Sequence, residues 1–356
     1  MRLELERRPE RSRTMALLSP LIAIALTILS AAIIFSLFGL EPGHALFVYL
    51  VEPLTQVWSL QELVVKAAPL VLIAIGLSLC YLSNNWNIGA EGQYVFGATV
   101  GGAVALAFQG SGSPFALPLM ILAGAAGGAA LAAIPAILKV RFNTNEILTS
   151  LMLVYIAELF LDYLVRGPWR DPAGFNFPQT VSFDTTLPIL IEGSRIHLGA
   201  LFALLAVIGA AILIGRTLIG FEIRLLGQAP RAARFAGFSP ERMTLLVFII
   251  SGALAGLAGI GEVAGSMGQL QPSISPGYGF TAIIVAFLGR LNPIGILIAG
   301  FLLALSYLGG EGAQIVLKLP IDMTRVIQGL LLFYVLACDT TILYRVRLVR
   351  TKRMAA

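Results

Sequence analysis

Eight long apolar runs constrain this chain more strongly than any other feature of its sequence. Each approaches the roughly 20 residues that an α-helix needs to cross about 30 Å of hydrocarbon. A membrane β-barrel would instead show segments of about 10 residues in which apolar and polar residues alternate, and that pattern is absent. The runs therefore predict an all-α polytopic membrane protein, with apolar segments at residues 16–38, 61–82, 115–138, 146–165, 197–215, 243–264, 293–308 and 322–337.

Composition supports the same class of protein. Of the 356 residues, 58% are hydrophobic and 12% are charged, whereas soluble domains carry about 25% charged residues. The first apolar run, from Met15 to Phe38, exceeds the roughly 7–15 residues of a signal-peptide core, so we expect an uncleaved span. The two cysteines and the two histidines are isolated in the sequence, which argues against a disulfide framework and against a metal site.

Basic residues mark one side of the membrane. The net charge of +5 comes largely from clusters in both tails and in one loop. Because positive residues are retained in the cytoplasm, the pattern places both termini inside, predicts about ten transmembrane helices and does not indicate a nucleic-acid partner. The predicted order is a basic tail (1–15), a single transmembrane domain (16–342) with an outside loop (166–196) and a cytoplasmic loop (216–242), and a second basic tail (343–356).

Two of the ten predicted spans are irregular. The third lies between about residues 88 and 108 and begins with polar residues, and the eighth is the short apolar piece "GFTAIIVAFLG". Eight full spans with two half-spans fit the sequence nearly as well as ten. Both versions predict that some helices are broken or short.

A polar stretch, "NNWNIGAEGQYVFGA" at 84–98, lies where a span is expected. Polar side chains and non-helical backbone occur at membrane depth only inside protein or along a hydrated cavity. Asparagine and serine favour turns and caps, so we predict that a helix breaks here and restarts with Asn87 as its cap. Three glycines of the stretch predict close approach to neighbouring helices; they are Gly89, Gly92 and Gly97.

Two carboxylates follow predicted helix starts, and each has two interpretations. Glu91 either gains from the positive end of a helix dipole or faces a solute pathway, because ionisable groups inside membranes are functional candidates. Glu146 follows Asn145 at another helix start and is ambiguous in the same way. The candidate pathway residues from these two regions are Asn85, Asn87, Glu91, Gln93, Asn145 and Glu146.

The cytoplasmic loop contains a short basic segment, "PRAARFAG", which is bracketed by Pro230 and Gly237 and predicted to be helical. A short basic helix at the membrane surface suits docking into a groove on a partner protein. Binding to lipid headgroups is the alternative, but the small side chains favour close protein contact. The predicted docking residues are Pro230, Arg231, Ala232, Ala233, Arg234, Ala236 and Gly237.

The chain lacks the motifs of an enzyme or an ATPase. None of its four lysines stands in the G-x-x-x-x-G-K-[ST] pattern that cradles nucleotide phosphates. No nucleophile elbow and no His–carboxylate arrangement is present either. We therefore expect no catalytic residue, metal or cofactor in this chain, and any energy for transport would come from another subunit or from an ion gradient.

At the level of motifs the chain resembles a known family. The loop "TLIGFEIRLLGQAPRAARFAGFSP" followed by "SGALAGLAG" is similar to the coupling-loop signature of permeases in the branched-chain amino acid and simple-sugar class of ABC importers. The stretches "NNWNIGAEGQYVFGA", "NEILTSLMLVYIA" and "GYGFTAIIVAFLGRLNPIG" narrow the resemblance to the nucleoside-uptake branch. It covers roughly residues 60–340. One departure is Val154, where many nucleoside permeases have asparagine.

The resemblance implies a function and a set of partners. It implies a permease of the bacterial cytoplasmic (inner) membrane that forms the nucleoside pathway of an ATP-driven importer. Its partners would be an ABC ATPase, which carries ATP and Mg²⁺, a second and related permease, a substrate-binding lipoprotein, and membrane lipid. "QAPRAARFAGF" would be the coupling helix seated in the ATPase, and "NIGAEGQ" the broken helix near the pathway. Import of a simple sugar such as ribose is the alternative, and an ion-coupled secondary transporter is a further one.

Overall fold

The computed structural model describes residues 2–7, 13–320 and 322–349, and most of them are helical. Two π-turns, Phe47–Val51 and Val263–Met267, and a 3₁₀ turn, Glu52–Leu54, accompany the helices. Strands β1 (Arg2–Arg7) and β2 (Tyr344–Val349) pair antiparallel. The helices are α1 (Arg13–Leu37), α2 (Pro42–Leu46), α3 (Val57–Leu82), α4 (Ala90–Ala107), α5 (Ala116–Phe142), α6 (Glu146–Arg166), α7 (Leu198–Arg216), α8 (Leu218–Gln228), α9 (Pro230–Phe235), α10 (Pro240–Glu262), α11 (Tyr278–Leu288), α12 (Pro293–Val316) and α13 (Asp322–Leu343).

The long helices coincide with the apolar runs of the sequence. Eight helices in the described part of the chain are long and apolar enough to cross a membrane, and each overlaps one predicted run along most of its length. The helices α4 and α11, of 18 and 11 residues, are not among the eight. The total of ten spans and the sidedness of the termini stay predictions. The eight are Leu18–Leu37, Val57–Leu82, Ala116–Phe142, Glu146–Arg166, Leu198–Arg216, Pro240–Met267, Pro293–Val316 and Asp322–Thr340.

The chain divides into two compact units, one of residues 1–55 and 306–356 and the other of residues 56–305. In the first unit α1 packs against α13, and the Ser19 hydroxyl donates a hydrogen bond of 2.7 Å to the Asp339 carboxylate. Helix α12 contributes residues to both units. The apolar core of the first unit contains Ala31, Phe35, Ala45, Tyr49, Ala313, Leu319 and Ile327.

Both predicted basic tails are described only in part. The tail 1–15 contains β1 and the start of α1, and the tail 343–356 contains β2, while residues 1, 8–12 and 350–356 lie outside the described residues. The all-α prediction omits this two-stranded sheet. Its sequences, "RLELER" and "YRVRLV", alternate polar and apolar residues over too short a length to stand out beside the long apolar runs. The prediction of a single domain over 16–342 stays a prediction.

Helix α3 is the most enclosed of the eight spans, with 83% of its apolar window buried. Beside it, α4, α5 and α10 approach one another through glycines, because a Cβ atom at Gly97 would collide with Gly256 and one at Gly128 would collide with Gly252. Lipid supplies no hydrophobic force between helices, so small residues that permit close van der Waals contact hold them together. The predicted close approach of the three glycines in the polar stretch is confirmed.

Helices α4 and α11 meet at their N-terminal ends. The segment 268–277, which contains no helix, runs antiparallel to α4, so that Leu270 lies against Gly102 and Gly279 lies against Glu91. Between these two contacts α4 rises by about 16 Å. The segment therefore covers about half of the roughly 30 Å of hydrocarbon before α11 begins. This explains why α11 is only 11 residues long.

Candidate functional site

The polar stretch separates α3 from α4, as the sequence predicts. Helix α3 ends at Leu82, and α4 begins at Ala90 with Gly89 as its N-cap. The side chain of Asn87, which was expected to be the cap, instead accepts a hydrogen bond of 3.0 Å from the Gly89 N–H. That prediction is wrong by two positions, because asparagine here bonds to the backbone two residues on and closes the turn before the helix.

Asn87 and Gln93 form an enclosed pair of amides. Each donates a hydrogen bond of 3.0 Å to the side-chain oxygen of the other. Asn87 also donates to the Ser251 hydroxyl of α10 at 3.1 Å, and its backbone carbonyl accepts from the Tyr81 hydroxyl at 3.0 Å. Both amides are buried, and buried polar groups cost free energy unless they are hydrogen-bonded. The pair therefore fastens the helix break to α3 and α10.

Asn85 belongs to a second network, which centres on Lys139 of α5. The Lys139 ammonium donates to the Asn85 side-chain oxygen at 2.9 Å and forms an ion pair of 2.5 Å with Glu146. The Thr244 hydroxyl of α10 donates to the same Asn85 oxygen at 3.0 Å. Lys139 thus joins the helix break, α5 and α6, and Asn85 extends this network to α10. The sequence around Lys139 does not predict this role, because it does not show which distant groups the lysine contacts.

Asn145 caps α6. Its side-chain oxygen accepts hydrogen bonds from the backbone N–H groups of Ile147 and Leu148, at 2.9 and 3.4 Å. This confirms the predicted helix start. Glu146 is the first residue of α6, where the helix dipole favours a carboxylate, and it also accepts a hydrogen bond of 3.4 Å from the Trp86 N–H. Together with the Lys139 ion pair, these contacts support the structural interpretation of Glu146.

Glu91 lies in the first turn of α4 and is only 2% exposed. Its carboxylate accepts a hydrogen bond of 2.5 Å from the backbone N–H of Gly279, which is 188 residues away in the chain. Gly279 is the second residue of α11, so Glu91 caps that helix, whose free N–H groups and dipole favour an anion. The contact holds the two short helices together. A solute-facing role for Glu91 stays a prediction.

The six predicted pathway residues therefore lie in separate bonded groups. Asn87 pairs with Gln93, Asn85 joins Glu146 through Lys139, Glu91 binds α11, and Asn145 caps α6. Each of these side chains makes at least one hydrogen bond within the chain. Their contact with a solute stays a prediction.

Of the two isolated histidines, His197 has a structural role. Its Nδ1 accepts a hydrogen bond of 3.1 Å from the Gly199 N–H and so caps α7, and its Nε2 lies 3.3 Å from the Ser266 hydroxyl. Burial, together with the nearby Arg195 cation, lowers the pKa of His197 to about 4. The imidazole is therefore neutral at physiological pH, which preserves its role as the acceptor in this cap.

The predicted docking segment is the helix α9. Proline occupies its first position, and the chain leaves the helix at Gly237, whose φ of 85° glycine adopts without steric cost. The Gly237 N–H donates to the Arg234 carbonyl at 3.0 Å, and the Phe238 N–H donates to the Ala233 carbonyl at 3.1 Å. These two bonds form a Schellman motif. Gly237 therefore fixes where the helix ends.

The predicted docking residues differ in their exposure on α9. Ala233 is fully buried, because one side of even a short helix packs on its own chain, so its contact with a partner stays a prediction. Phe235 was absent from the set but is 94% exposed. The sequence did offer a sign that Phe235 contacts a partner, because it is an aromatic residue in a short basic helix and aromatic side chains commonly anchor interfaces. The other predicted docking residues are exposed: Pro230, Arg231, Ala232, Arg234, Ala236 and Gly237.

Helix α8 links α9 to the helix break. Its buried side contains Ile223 and Leu226. At its end Gly227 packs against the backbone of Leu82 and Ser83, where a Cβ atom would collide with the Leu82 carbonyl. A displacement of α9 would therefore act directly on the end of α3, next to the Asn85 network.

Comparison with known proteins matches this chain to permeases of transport systems. The sequence profile of the branched-chain amino acid transport system permease component matches residues 59–336. The chain is 35% identical to the glucose ABC transporter permease protein TsgB13 of Haloferax volcanii, over 99% of this chain and 96% of that protein. It is 30% identical to the nucleoside ABC transporter permease protein NupB of Lactococcus lactis, over 91% and 92% of the two chains. It is 29% identical to the guanosine ABC transporter permease protein NupP of Bacillus subtilis, over 90% and 92%.

The profile extends from near the start of α3 into α13 and so includes the helix break and α9. The resemblance that the sequence motifs carry is thereby confirmed. Together with the eight apolar helices, the match makes this chain a multi-pass integral protein of the cytoplasmic membrane and a permease subunit of an ABC transporter. It belongs to the branched-chain amino acid transport system permease family.

Proposed function

We propose that this chain forms the solute pathway of an ATP-driven importer of nucleosides. In this proposal a separate ABC ATPase binds ATP and Mg²⁺, a second and related permease completes the pathway, and a binding lipoprotein delivers the solute. The observation that carries the proposal is α9, a short capped helix whose aromatic and basic side chains are exposed outside the spans.

The surroundings of α9 support its role as a coupling helix. Phe235, 94% exposed, offers an apolar anchor, and Arg231 and Arg234 offer charge beside it. Large exposed apolar groups on a surface indicate a binding site for a partner. The contact between Gly227 and Leu82 gives movement of α9 a short route to the helix break.

The named activities of the relatives support two candidate solutes. The two relatives described as nucleoside and guanosine permeases favour nucleosides. The glucose permease, which matches over 99% of this chain, favours a simple sugar as the second candidate. The ribose ring of a nucleoside and a simple sugar such as glucose both carry neighbouring hydroxyl groups on a neutral ring. The same polar groups in the pathway could therefore bind either solute.

Uptake by intact cells tests the proposed function. Labelled guanosine, adenosine, uridine, ribose and glucose would be offered to cells with and without this chain, with ATP depleted in one arm and the proton gradient collapsed in another. We expect loss of nucleoside uptake that depends on ATP. Loss of ribose or glucose uptake alone would favour the sugar candidate. Uptake that follows the proton gradient while ATP is maintained would contradict an ATP-driven importer.

Substitutions in α9 test its role in coupling. We expect Phe235→Ala and Arg231→Ala to weaken co-purification of the ATPase and to lower uptake about tenfold each, since anchor residues commonly contribute more than about 1 kcal/mol. Gly237→Ala should act similarly, because it strains the end of the helix. Phe175→Ala is the matched control, since Phe175 is 92% exposed in another loop. Normal uptake and normal ATPase binding in the α9 variants would contradict this role.

A further inference from the structure

Glu158 places a carboxylate near the middle of a membrane span. Helix α6 extends from Glu146 to Arg166, and Glu158 lies about 18 Å along its axis from the first and about 12 Å from the second. The two ends of this helix lie about 30 Å apart, which matches the thickness of the hydrocarbon. The carboxylate is therefore close to the centre of the membrane.

The Glu158 side chain is only half-buried, and no described residue makes a hydrogen bond or ion pair with its carboxylate. A lone acidic group in contact with lipid at this depth is strongly unfavourable, and such groups almost always face a protein interior or a hydrated cavity. The edge of α6 that carries Glu158 is therefore covered by water or by protein in the assembled transporter.

Other polar residues continue this edge. Tyr155, Glu158, Asp162 and Arg166 follow one another at spacings of three and four residues, which places them on one side of the helix. We call these four residues the α6 stripe. Tyr155 is 55% exposed, and Arg166 forms an ion pair of 2.7 Å with Asp162. The stripe borders the side of α6 that packs within the chain, which contains Ser150, Val154, Ala157 and Leu161.

The stripe also reaches the region where the short helices meet. Glu158 lies within electrostatic range of Glu91, the residue that caps α11. Val154, one helical turn before Glu158, packs against Gly92 in α4 and is 2% exposed. The residue that departs from the nucleoside-permease pattern therefore points into the helix packing, while Tyr155 and Glu158 lie beside it on the open edge.

We propose that the α6 stripe lines a hydrated solute pathway in which Glu158 and Tyr155 contact the hydroxyl groups of the transported nucleoside or sugar. This inference rests on the proposed transport function. A carboxylate accepts hydrogen bonds from two neighbouring hydroxyls, and such charge-assisted bonds are stronger than neutral ones. The tyrosine ring offers an apolar face to a sugar or base, and its hydroxyl adds a polar contact.

A cation on the second permease is the competing explanation for Glu158. Within the stripe itself the one cation, Arg166, is already paired with Asp162. The exposed side chains next to the stripe are apolar and suit lipid or the second permease; they are Met152, Ile156 and Leu159. The stripe thus remains a narrow polar strip beside an apolar surface, as expected for the wall of a pathway.

Thiol labelling of the assembled transporter separates these explanations. Glu158→Cys and Tyr155→Cys would be treated in membranes with a water-soluble methanethiosulfonate reagent, with Ile156→Cys as the matched control, because Ile156 is 57% exposed but lies off the stripe. The wild-type chain gives the background, because Cys80 and Cys338 are buried. We expect rapid labelling at 158 and 155 and little at 156. Absence of labelling at both positions of the stripe in the assembled transporter would overturn the proposal, whichever solute is transported.

Uptake kinetics test the contact with hydroxyl groups. For the solute that the wild-type transporter imports, Glu158→Gln should lower kcat/KM about tenfold, mainly through KM, because one charge-assisted hydrogen bond is weakened. Uptake of the matching deoxy analogue, a dideoxynucleoside or a deoxyglucose, should change less than twofold. Equal losses for both compounds, or no loss for either, would overturn the contact. Labelling at position 158 with no uptake of nucleosides would instead contradict only the proposed solute.

Discussion

Replacing Glu91 with leucine is expected to reduce solute uptake at least tenfold, while replacing it with glutamine preserves most of the uptake. The Glu91 carboxylate accepts the Gly279 N–H at 2.5 Å and is 2% exposed. Leucine would leave this N–H buried without an acceptor, which costs about 1–3 kcal/mol. It would also remove the anion that the start of α11 favours. Glutamine retains an oxygen that can accept the same hydrogen bond.

The measurement is uptake per assembled transporter, with the amount of complex determined by co-purification of the partner subunits. Glu192→Leu, at an exposed position in a loop, controls for the general effect of losing a glutamate. If Glu91→Gln abolishes uptake while assembly is normal, then the negative charge itself serves transport and the capping role is insufficient. A changed solute preference in Glu91→Gln would point to the same conclusion.

The second large effect is expected at the contact of α4, α5 and α10. A Cβ atom at Gly97 would collide with the backbone of Gly256 in α10 and lie 2.8 Å from the Gly124 carbonyl in α5. Because backbone cannot rotate away as a side chain can, Gly97→Ala must push the helices apart. Overpacking of this kind costs roughly 1–3 kcal/mol and sometimes more. We expect a clear fall in the thermal stability of the purified protein, together with reduced uptake.

Gly261→Ala is the matched control for this prediction. Gly261 is also a buried helical glycine, in α10, but a Cβ atom there would have no neighbour within 4 Å. Alanine favours a helix over glycine by about 1 kcal/mol, so this variant should be as stable as the wild type or slightly more stable. Equal melting temperatures for the two variants would show that the glycine contact does not hold these helices together.

The positions of the helices could be predicted from the sequence because their signals are local. An apolar run of about 20 residues predicts a span whatever its neighbours in the fold are, because the thickness of the hydrocarbon sets the length of the helix. The helix break at 84–89, the start of α6 at Glu146 and the helix α9 follow from side chains that act within a few residues of themselves. These predictions are confirmed, and the cap at Asn87 is wrong by only two positions.

Partnerships between distant residues could not be predicted in this way. The sequence allowed Glu91 either a capping or a solute-facing role, and it contained no sign that the capped helix would be α11, 188 residues away. The sequence likewise contained no sign that Lys139 joins Asn85 to Glu146. Such contacts depend on which helices lie side by side, and this is decided by packing.

By itself the sequence therefore determined a polytopic helical membrane protein, its eight apolar spans, its broken helix and its membrane-permease family. Only the tertiary structure decided that Ala233 faces its own chain, that Phe235 projects from α9, and that Glu158 lies on an open edge of α6 without a hydrogen bond or ion pair to any described residue. The physical reason is the distance along the chain over which each interaction acts. Hydropathy and capping act within a turn or two of helix, whereas burial and exposure of a single side chain depend on the neighbours that the whole fold brings to it.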